Sequence, residues 1–137
     1  MKIREVNQDD SDFLFELYMK RESRDILTPI KYEDNENFVK NYIQKSPTHP
    51  FQSWYIIEVN NSKAGSLSLH KKNNELGYWL LPQFQNKGIG TKAIDEFMKV
   101  TNKSFYTIRA HIDNKRSQKI SQKLGFKLTH YEYQLQK

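Results

Sequence analysis

The spacing of apolar residues alternates along this chain between a period of two and a helical period, and each change marks an element. Lys2 to Val6 alternates, which predicts a short strand, and Asn7 to Ser11 then offers several helix-capping side chains. Phe13, Leu14, Leu17 and Tyr18 recur at helical spacing. Asp25 to Ile30, with Thr28-Pro29 inside it, reads as a loop. A second helix is predicted over Asp34 to Gln44, burying Phe38, Val39, Tyr42 and Ile43, and Ser46-Pro47-Thr48-His49-Pro50 breaks it.

Two strand-like runs follow, Ser53 to Val59 and Ala64 to His70, joined by Asn60-Asn61-Ser62-Lys63, which predicts an antiparallel hairpin. Lys71-Lys72-Asn73-Asn74 is a second polar turn, and Glu75 to Leu81 a third strand, so the middle of the chain is a meander. After Gly88 the helical period returns with Ile89, Ala93, Ile94, Phe97 and Met98, ending near Thr101 to Ser104. Phe105 to Ile112 reads as strand, Lys115 to Leu124 as helix and Lys127 to Leu135 as strand. The order β-α-α-β-β-β-α-β-α-β predicts an α/β (α+β) domain spanning residues 1–137, with a mixed sheet.

Composition narrows the classes. The net charge of +6 favours anionic partners, but the basic residues are spread along the chain, which argues against nucleic acid. With no cysteine, the chain has no disulfide, no cysteine zinc ligand and no thiol nucleophile. His49, His70, His111 and His130 lack paired metal-ligand spacing, so no metal site is expected. The first residues, Met1 to Val6, carry no apolar signal core, and the longest apolar run is Tyr78-Trp79-Leu80-Leu81. The expectation is a cytoplasmic protein with no membrane partner.

The sharpest local signal is Leu80-Leu81-Pro82-Gln83-Phe84-Gln85-Asn86-Lys87-Gly88-Ile89-Gly90-Thr91. A strand ends, a polar loop follows, and a helix starts at paired glycines. Free N–H groups of the first helical turn, with the helix dipole, make an anion site there, and Lys87 and Thr91 add a charge and a hydroxyl. The plain alternative is a strand-to-helix connection with glycines for packing. Gly88-Ile89-Gly90-Thr91-Lys92-Ala93 also fits the dinucleotide fingerprint, with Asp113 ending the next predicted strand. Against that stand the residues Pro82 to Lys87 between strand and glycine, the preceding antiparallel meander, and the little chain that remains.

The chain resembles the GNAT acyltransferase superfamily over nearly its whole length. Gln85, Gly88 and Gly90 match the family's Q/R-x-x-G-x-G/A motif. Glu75 to Pro82 looks like its fourth strand, and Asn114, Ser117 and Leu124-Gly125-Phe126 look like its N-x-x-S…L-G-F segment. The resemblance implies the GNAT fold, a mostly antiparallel sheet of six to seven strands with about four helices. Its fourth and fifth strands splay to admit the pantetheine arm of acetyl-CoA. By that resemblance, backbone groups near Trp79, Leu80 and Leu81 would pair with pantetheine. Gln85, Asn86, Lys87, Gly88, Ile89, Gly90 and Thr91 would hold the pyrophosphate, and Asn114 and Ser117 would lie against the cofactor.

The implied reaction is direct attack of a primary amine on the acetyl thioester. A backbone N–H near Leu80 is the oxyanion candidate, and Glu75, acting through water, the base candidate, against its reading as a solvated turn residue. Where many relatives carry a tyrosine as acid for the thiolate, this chain has Ser121, a hydrogen-bond donor to sulfur or a packing residue. Tyr131 and Tyr133 are the substitutes. For the acceptor, Arg21 and Arg24 in Arg21-Glu22-Ser23-Arg24-Asp25 could grip a phosphorylated group or be solvated, and Trp54 could line a pocket or the core. The run from Phe13 through Trp54 to Glu58 looks similar to a branch acetylating nucleotide-linked amino sugars. Asn114, Ser117 and Ser121 are shared with the ribosomal-protein branch, whose acceptor is a peptide amine. A non-catalytic CoA- or nucleic-acid-binding module is the alternative from another class. A monomer and a homodimer are both compatible with the sequence.

Overall fold

A computed structural model describes residues 1–21 and 31–137. Its elements are β1 (Lys2–Glu5), α1 (Ser11–Met19), α2 (Tyr32–Ile43), β2 (Phe51–Val59), β3 (Ser62–His70), β4 (Leu76–Leu80), α3 (Ile89–Thr101) and α4 (Lys115–Lys123). Short 3₁₀ turns at Gln8–Asp10 and Pro82–Phe84 lead out of β1 and β4. The strands form one antiparallel sheet in the order β1-β2-β3-β4. The loop expected at Asp25 to Ile30, and Arg24, fall outside the described residues.

Local chemistry explains the meander. Asn60 and Asn61 both have positive φ, 51° and 64°, the conformation a two-residue hairpin turn requires and asparagine tolerates. The turn is therefore tighter than expected, and β3 begins at Ser62. Side chains alternate across the sheet. Ile57, Leu67, Leu69 and Leu76 pack with Ala93, Ile94 and Phe97 of α3. Trp54 and Ile56 pack on the opposite face with Val6, Leu14 of α1, and Val39 and Tyr42 of α2. The sheet is thus covered by α3 on one side and by α1 and α2 on the other.

Two polar devices fix the α1/α2 side. Asp10, fully buried, accepts from both terminal Arg4 nitrogens at 2.9 and 2.8 Å, from the Asn7 N–H at 2.8 Å, and pairs with Lys63 at 2.8 Å. These partners overcome the opposing effect of burial and hold its carboxyl at about 2. His49 accepts the Phe51 N–H on Nδ1 at 3.0 Å and faces the Phe38 carbonyl with Nε2 at 3.1 Å. That is a neutral imidazole latching α2 to β2, and burial lowers its pKa.

The sheet differs from the sequence expectation: among the described residues four strands are present rather than six to seven. Of Phe105 to Ile112, only Thr107 pairs, in a parallel bridge with Glu75. The Phe105 carbonyl receives the Asn74 amide at 3.1 Å, and the Thr107 hydroxyl donates to the Asn73 carbonyl at 2.9 Å. Beyond Thr107 the segment leaves β4 and turns at His111 to Asn114 into α4. Lys127 to Leu135 forms no strand, and Leu128, Tyr131, Tyr133 and Leu135 are exposed. Alternation marks a capacity for pairing. A strand also needs a neighbour, and none of the described edges lies against this segment.

Candidate functional site

The departure of the chain after Thr107 leaves β4 with an open outer edge. In an antiparallel pair successive residues point their N–H and C=O groups alternately toward and away from the partner. The His70 N–H donates to the Glu75 carbonyl at 2.8 Å, so residues 75, 77 and 79 point toward β3 and 76, 78 and 80 point outward. The Leu76 N–H is engaged by the Thr107 carbonyl at 2.8 Å. What remains facing the gap is the Leu76 carbonyl, both backbone groups of Tyr78 and the N–H of Leu80. The backbone groups of Trp79 and Leu81, named from sequence for this edge, face the other way. Trp79 turns its backbone to β3, where a Cβ on Gly65 would sit 2.1 Å from its carbonyl, and the Leu81 N–H donates to Ala64 at 2.8 Å. Of the residues named from sequence for this edge, Leu80 turns its N–H to the gap and Trp79 and Leu81 do not, whereas Tyr78, which was not named, turns both backbone groups to it.

The edge runs directly into the glycine loop. Gln85 donates from Nε2 to the Leu80 carbonyl at 2.9 Å, closing the loop on the end of β4. Asn86 has φ 61° and Gly88 φ 78°, so the chain enters α3 through two left-handed residues. Among the described residues nothing lies within 4 Å of where a Gly88 Cβ would be, so glycine serves the backbone angle there and leaves space above it. No side chain caps α3, and the first helical bond is Lys92 N–H to the Gly88 carbonyl at 3.3 Å. The N–H groups of Ile89, Gly90 and Thr91 are therefore the donors of an uncapped helix start, with Lys87 and Lys92 exposed beside them. Gly90 is buried, its Cβ position 3.5 Å from both Leu80 and Ile120, which brings α3, β4 and α4 together. The residues present fit an extended thioester carrying a pyrophosphate: an edge with unpaired amides, then an uncapped helix start with open space over a glycine.

Helix α4 forms the far wall of the gap. Asn114 accepts the Ser117 N–H on Oδ1 at 3.1 Å and so caps this helix. Ser117 is buried, and its hydroxyl is hydrogen-bonded to that of Tyr78 from β4. Arg116 donates to the Gln85 side-chain carbonyl. Burial raises the Tyr78 pKa, with Ser117 and Arg116 opposing. Ser121, the acid candidate from sequence, donates its hydroxyl proton to the Ser117 carbonyl at 2.9 Å, the helix-packing arrangement. Tyr131 and Tyr133, 76% and 90% exposed, are not brought to the gap.

At the closed end of the gap Glu75 is ion-paired with Arg109, Nε to Oε1 at 2.5 Å and Nη2 to Oε2 at 3.4 Å. On the face away from α3, the Arg21 guanidinium lies over the Trp79 ring, 5.0 Å from its centre. Trp54, by contrast, is buried among Phe38, Tyr42, His49 and Phe51, and the structure places it in the core rather than on an acceptor surface. Sequence reasoning missed Tyr78, Arg109 and Arg116 as parts of this site. Each acts across 31 to 39 residues of chain, where no local spacing signals a contact. For Tyr78 the alternation of β4 was a usable signal, because it sets which backbone groups face outward.

Residues 1–127 match the family described as acetyltransferase (GNAT) domain. The fold is similar to RimL, a ribosomal-protein alpha-N-acetyltransferase solved with coenzyme A, with TM-score 0.74 and 21% identity over 93% of this chain and 80% of that one. It is also similar to a putative acetyltransferase from Salmonella typhimurium with its cofactor acetyl-CoA, with TM-score 0.75 and 16% identity over 95% and 81%. A ribosomal-protein-alanine N-acetyltransferase from Brucella melitensis matches with TM-score 0.72 and 16% identity over 91% and 83%. No helix among the described residues is long and apolar enough to cross a membrane. The open β4 edge, the uncapped glycine loop and the family match lead to one identification: this chain belongs to the GNAT acetyltransferases, which use acetyl-CoA.

Proposed function

We propose that the acceptor is a primary amine at a protein N-terminus, and that the gap beside β4 holds acetyl-CoA with its pyrophosphate at the start of α3. The observation carrying this reading is the continuous line of unengaged donors, from Tyr78 and Leu80 on β4 to Ile89, Gly90 and Thr91 on α3. Acetyl-CoA supplies the activated acetyl thioester. The chain's own groups then have three tasks: binding the anion, stabilising the carbonyl oxygen and protonating the thiolate. Lys87, Asn86 and Gln85 support the α3 amides. The outward N–H of Tyr78 faces the carbonyl oxygen, and that of Leu80 faces the pantetheine arm. The Tyr78 hydroxyl is the proton source for sulfur, since Ser121 is engaged with the helix backbone. Asn114 and Ser117 shape the far wall, one as helix cap and the other by its bond to Tyr78.

Two things support a peptide acceptor. Solved structures of similar fold include ribosomal-protein acetyltransferases. The sequence run that suggested an amino-sugar acceptor also centres on Trp54, a core residue. One observation keeps the amino-sugar reading in play: Arg21 over Trp79 sets a cation on the acceptor side, suited to a nucleotide-linked sugar. Free thiol release from acetyl-CoA with short peptides, nucleotide-linked amino sugars, polyamines and amino acids tests both. The protein adds no thiol background, having no cysteine. Release with peptides alone supports the proposal. Release with amino sugars alone replaces the acceptor, and acetyl-CoA bound without release to any amine points to a binding module.

A further inference from the structure

The sheet face away from α3 carries a second set of groups that the cofactor site does not use. Along β3, Ser66, Ser68 and His70 alternate with Leu67 and Leu69, which pack against α3. Across from them on β4 stand Trp79, Gly77 and Glu75. Ser66 and Ser68 are buried, yet their hydroxyls make no hydrogen bond to any described residue. The Ser68 hydroxyl lies over Gly77, 2.4 Å from where a Cβ would stand, so the serine hydroxyl, and no β4 side chain, occupies that side of Gly77.

His70 closes the row. It is half-buried, its ring packs edge-on against Phe51 at 4.8 Å, and among the described residues neither ring nitrogen is hydrogen-bonded. His49 and His111, by contrast, use ring nitrogens on backbone groups, and His130 uses one on Thr129. His70 and Glu75 are direct cross-strand neighbours, joined by the 2.8 Å backbone bond, and such pairs hold their side chains on one face about 5 Å apart at Cβ. The Glu75 carboxylate is tied to Arg109, which leaves the imidazole as the unengaged base of the pair.

The position suits the reaction. From Leu80 back to Leu76 the open edge covers about 13 Å, most of the length of an extended pantetheine arm laid along β4 from the start of α3. The thioester then comes level with Gly77, just short of the closed end where Thr107 bridges to Glu75. The α3 face there is filled by Leu69, Leu76 and Phe97, so the nucleophile arrives from the other face.

We propose that Ser66, Ser68 and His70, against Gly77 and Glu75, form the acceptor's approach, and that His70 takes the proton an ammonium group must lose before attack. This rests on the acetyl-transfer reading above. One proton passes from the ammonium to His70 Nδ1 or Nε2, and the freed nitrogen pair forms the carbon–nitrogen bond. The carbon–sulfur bond breaks with its electron pair on sulfur, and the nitrogen's second departing proton replaces the one Tyr78 gives the thiolate. His70 then returns its proton to solvent. The charged groups facing the ring are Glu75 on β4, Arg109 from the segment after α3, neighbouring Lys71, and His49 behind Phe51. Burial and Arg109 favour the neutral ring, with Glu75 opposing.

The test combines a pH profile with a ring titration. In the intact protein kcat/KM should fall on an acid limb whose midpoint matches the His70 ring titration followed by NMR without acetyl-CoA. His70→Gln should lose that limb and fall roughly a hundredfold in turnover near neutral pH, with acetyl-CoA binding unchanged by calorimetry. His70→Ala should recover rate with added imidazole. A limb midpoint that departs from the ring titration overturns the proposal without any variant, and so does His70→Gln with full turnover and an unchanged limb. A protein that binds acetyl-CoA but acetylates no amine overturns the transfer reading itself, and this proposal with it.

Discussion

The corner around Asp10 and the outer edge of β4 are both dense in polar groups, and they are built in opposite ways. At Asp10 every oxygen is engaged by Arg4, Lys63 or the Asn7 N–H, at distances of 2.8 to 2.9 Å. The fully buried charge is stable there because its partners surround it. Along β4, backbone groups of Tyr78 and Leu80 face a gap. The contacts across that gap, Glu75 with Arg109, Tyr78 with Ser117 and Gln85 with Arg116, come from side chains. Side chains can turn aside for a ligand, whereas a ladder cannot without unzipping. A satisfied polar cluster therefore marks structure, and an unsatisfied strand edge marks a binding site.

Variants at the two regions should separate in folding stability. The largest loss belongs to Asp10→Ala, which strips Arg4 and Lys63 of a buried partner and should cost about 3–5 kcal/mol in denaturant unfolding. Acid reads the same corner more gently. Asp10 is held at about 2 in the fold against 3.8 when free, so its stabilisation is complete above pH 4. About 2 kcal/mol should then vanish as pH falls from 4 to 2, and Asp10→Asn should flatten that part of the curve.

Substitutions in the loop should cost less stability and more function. Gly88→Ala forces a side chain into φ 78° and should destabilise by about 1–2 kcal/mol. Its acetyl-CoA affinity, measured by calorimetry, should drop as the α3 amides lose their orientation. The smallest effect on folding should be that of Tyr78→Phe, which removes one hydrogen bond to Ser117 and costs about 1 kcal/mol. Its turnover should nonetheless fall by roughly a hundredfold if the phenol protonates the thiolate, with acetyl-CoA affinity little changed.

The legible parts of this fold are those that local chemistry dictates. Asn60-Asn61 requires positive φ, the glycines at 88 and 90 announce an exposed helix start, and Leu67, Leu69 and Leu76 declare their face by alternation. Trp54 is ambiguous in the sequence because an aromatic flanked by apolar residues looks the same in a core and in a pocket. Its partners Phe38 and His49 come from elsewhere in the chain. Phe105 to Ile112 and Lys127 to Leu135 alternate like strands, but pairing depends on an edge within reach, and only Thr107 finds one. His70, a lone histidine, carries no motif in the sequence. Its meaning comes from Glu75 opposite it and Arg109 beyond.

Backbone amide exchange with and without acetyl-CoA tests the central claim most directly. The account predicts slowed exchange and shifted resonances at Tyr78, Leu80, Ile89, Gly90 and Thr91, with the amide of Asn7 at the Asp10 corner unchanged. Protection spread evenly over both regions, or absent from the β4 edge while acetyl-CoA is bound, would contradict it.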